Sequence, residues 1–289
     1  MAQQFSFEGI GTQWEVEIYS PIVQTQFEYL VHITKERVRQ FEHTYSRFRP
    51  DSFINTSLLQ KGLVRLPDDA EKLFTIYKKL YTLTEGLFTP LIGQVLIDAG
   101  YDETYSLKPK TLHTPPAWEY VGDYSFPHMN IKNPGMFDFG AAGKGHLIDI
   151  ISQLIIENGY PEFCVDAGRD IRLFSETPIR IGLENPANLD QAIGVATLTS
   201  GSICASAGSR RAWGPFHHII NPQTLTSPNT ITATWVTAQE AIVADAISTC
   251  LFLVPAKILI PHFTFEYLTL FSDSSIEKSP GFSAELFTS

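Results

Sequence analysis

The chain has 289 residues, 44% of them hydrophobic, and a formal net charge of −10 at pH 7. This length and composition are sufficient for one large folded unit with a sizeable core. An acidic chain without a basic run is a poor partner for nucleic acid or for an anionic membrane surface. An anionic ligand would therefore have to be held by local dipoles, a few cations or a metal ion.

The cysteines indicate the redox compartment. Cys164, Cys204 and Cys250 are scattered, without the spacing of a metal site. An odd number of cysteines without a pairing pattern is typical of a reducing compartment. The first residues carry no basic and apolar signal segment, and no apolar run is long enough to span a bilayer. These features predict a cytoplasmic protein.

The first half of the chain mixes strand and helix patterns. Trp14, Val16 and Ile18 alternate with polar residues and predict a half-buried strand over 12–19. Apolar residues at helical spacing predict helices over 24–44, over 69–83 after the cap Asp68-Asp69, and over 91–99. The aromatic and basic loop 45–52 is either a helix-ending turn with solvated arginines or part of a site. Residues 103–127, rich in Pro and Tyr, predict a long surface connection.

The centre of the chain has a glycine-rich segment. The pattern predicts a strand at Met136-Phe137, a glycine-rich turn from Asp138, and a helix that runs to Ile156. Free N–H groups and the positive dipole at the start of a helix favour a phosphate or diphosphate, and Lys144 adds a positive charge there. The alternative is a tight turn with a surface lysine. The spacing excludes a P-loop.

The second half carries short apolar runs separated by turn residues. They predict strands at 163–165, 171–173, 179–183, 192–198, 231–236 and 263–271, and a helix over 239–252. Because strands and helices do not alternate regularly, the pattern favours an α+β fold over a doubly wound parallel sheet.

The helix over 239–252 carries a candidate metal site. Asp245 and Thr249 lie one turn apart on the same face, and Ser248 is adjacent. A carboxylate and hydroxyls are hard oxygen ligands of the kind that Mg²⁺ takes. The alternative is that Ser248 and Thr249 bond to helix carbonyls while Asp245 pairs with a buried arginine.

Two further segments combine turns with titratable groups. The adjacent His217 and His218 follow a turn of small residues, and a histidine there is either a general acid or base or a structural group bonded to a carbonyl. Asp166 and Asp170 flank a glycine turn, where carboxylates suit ligand hydroxyls or turn capping equally.

Taken in order, these segments resemble the ApbE family, the FAD:protein FMN transferases, from about Gly9 to about Val254. The matching motifs are Gly11-Thr12, Ser46-Arg47-Phe48 with Asp51-Ser52 and Asn55, Phe88 to Gly93, Asp138 to Asp149, Asp166 to Asp170, Ser206 to Gly208, His218 to Pro222, and Asp245 to Thr249. Each motif alone is weak, but the ordered set is specific. The resemblance implies one domain over residues 1–289 with an ApbE, T-fold-like α+β fold of mixed antiparallel sheets and packed helices.

The resemblance also implies an enzyme. It would transfer FMN from FAD to a Ser or Thr hydroxyl of an acceptor flavoprotein, with Mg²⁺ as cofactor and AMP as product. The acceptor would carry its own flavinylation motif. Two alternatives are an FAD pyrophosphatase that releases FMN and AMP, and a protein that binds FAD without turnover.

Site residues follow from the matching motifs. The resemblance implies His218 as the catalytic residue near the attacked phosphate. It places Mg²⁺ on the carbonyl of Gly143 and on Asp245 and Thr249, with Ser248 adjacent. The FAD-lining residues would be Ile10, Phe48, Ala99, Gly100, Tyr101, Gly140, Lys144, His146 and Ile220.

The sequence departs from the family motifs at several positions. Gly143 stands where the family has Ala, which is harmless if only its carbonyl binds the metal. His146 replaces a Tyr near the flavin, and Asn221 replaces an Asp close to His218. The other departures are Thr89 for Asp, Arg169 for Gly and Ala207 for Ser.

Overall fold

A computed structural model describes residues 2–287 of the chain. The strands, in chain order, are β1 (Gln3–Gly9), β2 (Thr12–Ile18), β3 (Gly62–Arg65), β4 (Gly122–Ser125), β5 (His128–Ile131), β6 (Phe163–Ala167), β7 (Asp170–Asn185), β8 (Asn188–Ala207), β9 (Ala212–Trp213), β10 (Phe216–His217), β11 (Ile231–Ala238), β12 (Glu266–Phe271), β13 (Ile276–Lys278) and β14 (Ala284–Leu286). The helices are α1 (Gln24–Tyr45), α2 (Phe53–Thr56), α3 (Ala70–Leu83), α4 (Gly93–Asp98), α5 (Trp118–Val121), α6 (Gly143–Glu157) and α7 (Ala241–Cys250).

Within the described residues, the main sheet has nine strands. Its order is β1-β2-β6-β7-β8-β11-β12-β13, and β14 pairs with β8. Every neighbouring pair is antiparallel. A small sheet has the order β3-β5-β4, and β9 pairs with β10. The α+β fold with antiparallel sheets, predicted from the sequence, is confirmed.

The helices cover one face of the main sheet. Trp14, Val16 and Ile18 of β2 point to this face and are fully buried, whereas Glu15 between them is exposed. Helix α6 packs on β6 and β7, and helix α7 packs on β8 and β11. The opposite face of the sheet carries a second apolar cluster, which includes Trp235 and Phe282. Burial of both faces fixes the register of the central strands.

Helices α6 and α7 are joined by reciprocal contacts at their N-termini. Both carboxylate oxygens of Asp149, on α6, accept N–H groups at the start of α7, from Ala241 and Ile242, at 2.9 Å each. In return, Oδ2 of Asp245, on α7, accepts the N–H of Gly145 near the start of α6 at 2.8 Å. Each helix thus supplies a carboxylate to the free N–H groups of the other.

Gly145 permits this close approach. A Cβ atom at Gly145 would lie 2.3 Å from the carbonyl oxygen of Ala241 and 2.7 Å from Cβ of Asp245. No side chain fits between the two helices at this position. The glycine-rich turn therefore brings a second helix, and with it Asp245, next to the start of α6.

Most predicted elements are present, with shifted ends. The helices predicted over 24–44, 69–83 and 239–252 correspond to α1, α3 and α7. Residues 103–117 contain no helix or strand, as expected for a surface connection, but α5 and β4 follow directly. Asp69 stands at the cap of α3, yet its carboxylate binds Arg37 and Tyr45 instead of a backbone N–H.

The strand predicted at Met136-Phe137 is wrong. This segment is extended but lies beside residues 90–93 with isolated backbone hydrogen bonds, from Gly93 N to Met136 O at 3.2 Å and from Asp138 N to Pro90 O at 2.7 Å. Pro90 has no N–H to donate, so a regular ladder cannot form there. Strand β1 is not among the predicted strands, although Phe5 and Phe7 alternate with polar residues, a pattern that indicates a strand.

None of the helices within residues 2–287 is long and apolar enough to cross a membrane.

Candidate functional site

The buried carboxylate of Asp245 lies at the junction of α6 and α7. Its Oδ2 accepts the Gly145 N–H, and Oδ1 accepts no hydrogen bond from the rest of the described chain. Burial, followed by the nearby negative charge of Asp170, raises the pKa of Asp245 well above its usual range. A cation at Oδ1 would favour the ionised form of this carboxylate.

Lys144 is the cation whose charge acts most strongly on this carboxylate. Its ammonium forms an ion pair with Asp170, whose Oδ1 also accepts the Ala205 N–H at 3.0 Å. Burial alone would lower the pKa of Lys144, but the negative charges of Asp170 and Asp245 raise it. Lys144 is therefore charged, and Asp170 compensates most of that charge.

The two carboxylates of the 166–170 turn have different roles. Asp166 Oδ1 accepts the Arg169 N–H at 2.6 Å and caps the turn. Asp170 is 1% exposed and faces Lys144 on the helical side of the sheet. Asp166 therefore caps the turn, which is one of the two alternatives. Asp170 instead belongs to the charged residues around Asp245, together with Lys144.

Three hydroxyl groups meet beside Asp245. Ser206 Oγ lies 2.8 Å from Ser248 Oγ and 3.2 Å from Thr249 Oγ1. Ser248 also donates to the Asp245 carbonyl at 2.9 Å, which is the helix back-bonding considered above. Thr249 keeps its hydroxyl at the surface of the helix that faces β8. Ser206 on β8 orients both hydroxyls, although the sequence does not single it out as a site residue.

These donors fit a single hard cation. The described residues contain no group of three or more His, Cys, Asp or Glu side chains that would hold a metal. Asp245 Oδ1 and the Thr249 hydroxyl are both oxygen donors, and the Gly143 carbonyl as a further ligand stays a prediction. Such a set suits Mg²⁺, which keeps several waters and ligand phosphate oxygens in its coordination sphere. It does not suit Zn²⁺, which selects nitrogen and sulfur.

An apolar cluster brings together four of the predicted FAD-lining residues. Ala99, Tyr101 and Ile220 are buried in it with Trp213, and Phe48 packs against its edge. The Tyr101 and Trp213 rings stack at 5.5 Å between centroids, and the Trp213 indole donates to the Ala99 carbonyl at 2.7 Å. We call this group the aromatic cluster.

Phe48 presents one ring face toward the surface. Tyr105 stacks on it almost in parallel, with 5.5 Å between centroids and 6° between ring planes. Tyr105 is 53% exposed. The Phe48 ring thus stacks with a flat, solvent-exposed ring, the kind of contact that a planar ligand could also make.

Arg47 connects the aromatic cluster to the glycine-rich turn. Its guanidinium lies 4.0 Å from the Phe48 ring centroid and 5.1 Å from that of Tyr101. It donates to the Tyr101 carbonyl at 2.8 Å and forms an ion pair with Asp138, which in turn accepts the Gly140 N–H at 2.8 Å. The side chain is 3% exposed, so the expectation of a solvated arginine is wrong for Arg47; Arg49 is half-exposed.

His218 precedes Ile220 of the aromatic cluster by two residues, and the charges of Arg211 and Lys144 act on its ring. Its backbone N–H donates to the Arg211 carbonyl at 3.1 Å, and its Nδ1 is buried without a partner among residues 2–287. Burial, together with the positive charges of Arg211 and Lys144, lowers the pKa of His218 to about 3. The imidazole is therefore neutral at physiological pH and has a free ring nitrogen. His217 instead bonds the Pro228 carbonyl at 2.8 Å.

The remaining predicted residues Gly100, Gly140 and Ile10 lie in turns. Gly100 has φ +99°, and a Cβ there would lie 2.5 Å from Lys108 N. Gly140 is exposed at the turn. Ile10 has φ 47°, and its N–H donates to Glu42 at 2.7 Å. Their contact with a ligand stays a prediction.

His146 is enclosed in the core. It is 3% exposed, its Nε2 lies 2.7 Å from the Asp69 carbonyl, and its ring meets Phe41 edge to face. Burial lowers its pKa. The structure does not bring His146 to the aromatic cluster, and its role near a flavin also stays a prediction.

Comparisons with known proteins give the family and the fold of the chain. The family model described as the ApbE family matches residues 10–260. No curated protein matches the sequence. The fold is similar to an ApbE protein from Thermotoga maritima, with a TM-score of 0.83, 20% identity and 97% of each chain covered. It is also similar to the flavin transferase ApbE from Vibrio cholerae, with a TM-score of 0.81, 17% identity and coverage of 96% of this chain and 97% of that one. A third similar structure is the apo form of the Pseudomonas stutzeri flavinyl transferase ApbE, with a TM-score of 0.76 and 16% identity over 97% of this chain and 96% of the other.

The family model covers most of the chain, and this match defines the class of the protein. The chain belongs to the ApbE family.

Proposed function

We propose that this protein transfers FMN from FAD to a Ser or Thr hydroxyl of an acceptor flavoprotein and releases AMP. Family membership and the fold of the two solved flavin transferases support a flavin reaction. The observation that carries the proposal is the position of Arg47. This side chain contacts both the Phe48 ring, on which a flat ring can stack, and Asp138 in the glycine-rich turn, which leads into the helix beside Asp245.

In this proposal the flavin ring stacks on Phe48. The ring would displace the exposed Tyr105 and lie against Ala99, Gly100, Tyr101 and Ile220. Aromatic stacking contributes about 0.5–1.5 kcal/mol beyond the burial of apolar area. The diphosphate would then extend toward Gly140, Lys144 and His218.

Mg²⁺ would be held by the Gly143 carbonyl, Asp245 and Thr249, with Ser248 supporting Thr249 through Ser206. When bound, it would neutralise diphosphate charge and stabilise the leaving phosphate. The charge of Lys144 is already compensated by Asp170, so Lys144 alone would not balance a diphosphate.

The reaction itself is a phosphoryl substitution. The acceptor hydroxyl oxygen forms a new bond to the FMN phosphorus, and the bond from that phosphorus to the bridging oxygen breaks, so that AMP leaves with this oxygen. The hydroxyl proton passes to His218, which is neutral and has a free ring nitrogen. Orientation of the hydroxyl in line with the leaving oxygen supplies much of the rate.

The test is incubation of the purified protein with FAD and Mg²⁺, with and without an acceptor bearing a flavinylation motif. A fluorescent acceptor band in a denaturing gel with a matching amount of AMP would support the transferase. AMP without labelled acceptor would identify a pyrophosphatase. Bound FAD without AMP under all conditions would contradict both enzymatic functions.

We also propose that the protein acts in the cytoplasm. Cys164, Cys204 and Cys250 are all free, which is typical of a reducing compartment.

A further inference from the structure

Arg211 differs from the other arginines of the chain in its pairing. The sequence has ten arginines, and within the described residues nine of them form ion pairs with carboxylates. Arg211 has no such partner in that part of the chain and is exposed. In a protein of net charge −10 most exposed arginines have a carboxylate within reach, so the lack of an ion pair at Arg211 requires an explanation.

The position of Arg211 connects the two parts of the site. It ends the short 3₁₀ turn Gly208–Arg211, which begins two residues after Ser206, one of the three hydroxyl side chains beside Asp245. Two residues after Arg211, Trp213 enters the aromatic cluster. The Arg211 carbonyl accepts the His218 N–H at 3.1 Å. Along the chain, Arg211 thus lies between Ser206 and Trp213 of the aromatic cluster, and its carbonyl binds His218.

The preceding residue fixes this turn. Arg210 forms an ion pair with Glu184 of β7, and Arg169 pairs with the same carboxylate. The Glu184 side chain is 16% exposed and pairs with both of these arginines. The turn is therefore anchored by Arg210, and Arg211 is left without this carboxylate.

The charge of Arg211 acts on groups of the site. It helps to lower the pKa of His218 and opposes the rise of the pKa of Tyr101. The hydrogen bond from the His218 N–H to the Arg211 carbonyl is the geometric link between the two residues. Lys144, the other cation of the site, is ion-paired with Asp170, whereas Arg211 forms no ion pair within the described residues and acts on the Asp245 carboxylate only at longer range.

We infer that Arg211 binds the diphosphate of the flavin dinucleotide. The inference rests on the proposed function and identifies a residue that would distinguish FAD from flavins without phosphate. A guanidinium presents two parallel N–H donors to phosphate oxygens, a geometry that suits this ligand better than a point charge does. Binding an anion at Arg211 would also offset the charge that lowers the basicity of His218.

The test compares equilibrium binding of FAD and riboflavin, measured by flavin fluorescence with EDTA present so that no turnover occurs. Arg211→Gln should weaken FAD binding about 10- to 100-fold, the effect of losing one or two charge-assisted hydrogen bonds. Riboflavin binding should not change, because riboflavin has no phosphate. Arg211→Lys should recover part of the FAD affinity, and the loss in Arg211→Gln should shrink as salt rises.

The matched control is Arg39→Gln, which removes the same charge from the exposed surface of α1. It should leave both affinities unchanged. FAD binding by Arg211→Gln equal to that of the wild type would overturn the inference alone, as would equal weakening of FAD and riboflavin. A wild-type protein that binds neither flavin would overturn the proposed function together with the inference.

Discussion

The contact of α6 with α7 at Gly145 makes a quantitative prediction. In Gly145→Ala the new Cβ would meet the Ala241 carbonyl oxygen at 2.3 Å, the Ala241 carbonyl carbon at 2.6 Å and Asp245 Cβ at 2.7 Å. The first two atoms are backbone, so no side-chain rotation relieves the contact. The helices must move apart, and overpacking of this kind costs about 1–3 kcal/mol.

Gly143→Ala is the matched control in the same helix. Its Cβ would meet Phe139 Cβ at 3.6 Å and the Phe41 ring at 4.0 Å, both ordinary contact distances. Replacing a helical glycine by alanine stabilises a protein by up to about 1 kcal/mol. Both substitutions replace a helical glycine by alanine and so gain this stabilisation. The difference between their free energies of unfolding therefore measures the cost of the contact with α7.

The assay is urea and thermal unfolding of the three proteins. We expect Gly143→Ala to be at least as stable as the wild type. We expect Gly145→Ala to lie about 1–3 kcal/mol below Gly143→Ala, or about 2–4 °C in Tm per kcal/mol. Equal stability of the two variants would refute the packing role assigned to Gly145.

Three further predictions concern single side chains. Asp245→Ala should abolish Mg²⁺-dependent turnover while the circular dichroism spectrum keeps its folded form; unchanged AMP release would refute the metal assignment. Arg47→Met should cost about 3–5 kcal/mol in urea unfolding, because it leaves Asp138 without its buried partner; a loss below about 1 kcal/mol would contradict this. Burial lowers the pKa of His146. Below about pH 6.5 this side chain is therefore protonated in the unfolded state but still neutral in the folded state, so the free energy of unfolding decreases as the pH falls. His146→Phe should reduce the stability difference between pH 7 and pH 5, and an unchanged difference would exclude His146 as a source.

The sequence predicts the fold class well because its periodic segments are clear. Trp14, Val16 and Ile18 alternate, and the apolar positions of α1, α3 and α7 repeat at helical spacing. Prediction fails where isolated backbone bonds decide the structure, as at Met136-Phe137.

The site is predictable in its residue types but not in its pairings. The helical spacing of Asp245 and Thr249 indicates one face, but it does not show that Gly145 brings this face to α6. The sequence predicts Lys144 as a free positive charge, but in the structure it forms an ion pair with Asp170, which is distant in sequence.

Arg47 and Arg211 show the same limit. For Arg47 the sequence leaves open a solvated position or a place in a site, and the structure buries its side chain. Arg211 does not differ from its neighbour Arg210 in the sequence, but it lacks a carboxylate partner among residues 2–287. Such roles depend on long-range contacts that local patterns do not encode.

The central claim is that this chain joins FMN to an acceptor hydroxyl. Intact-mass spectrometry of an acceptor with a flavinylation motif, after incubation with FAD, Mg²⁺ and the protein, measures this directly. The account predicts a mass increase of one FMN unit less water, which is absent with EDTA, with Asp245→Ala, or when the acceptor Ser or Thr is replaced by Ala. An acceptor of unchanged mass, in a reaction where a known flavin transferase labels it fully, would contradict the claim.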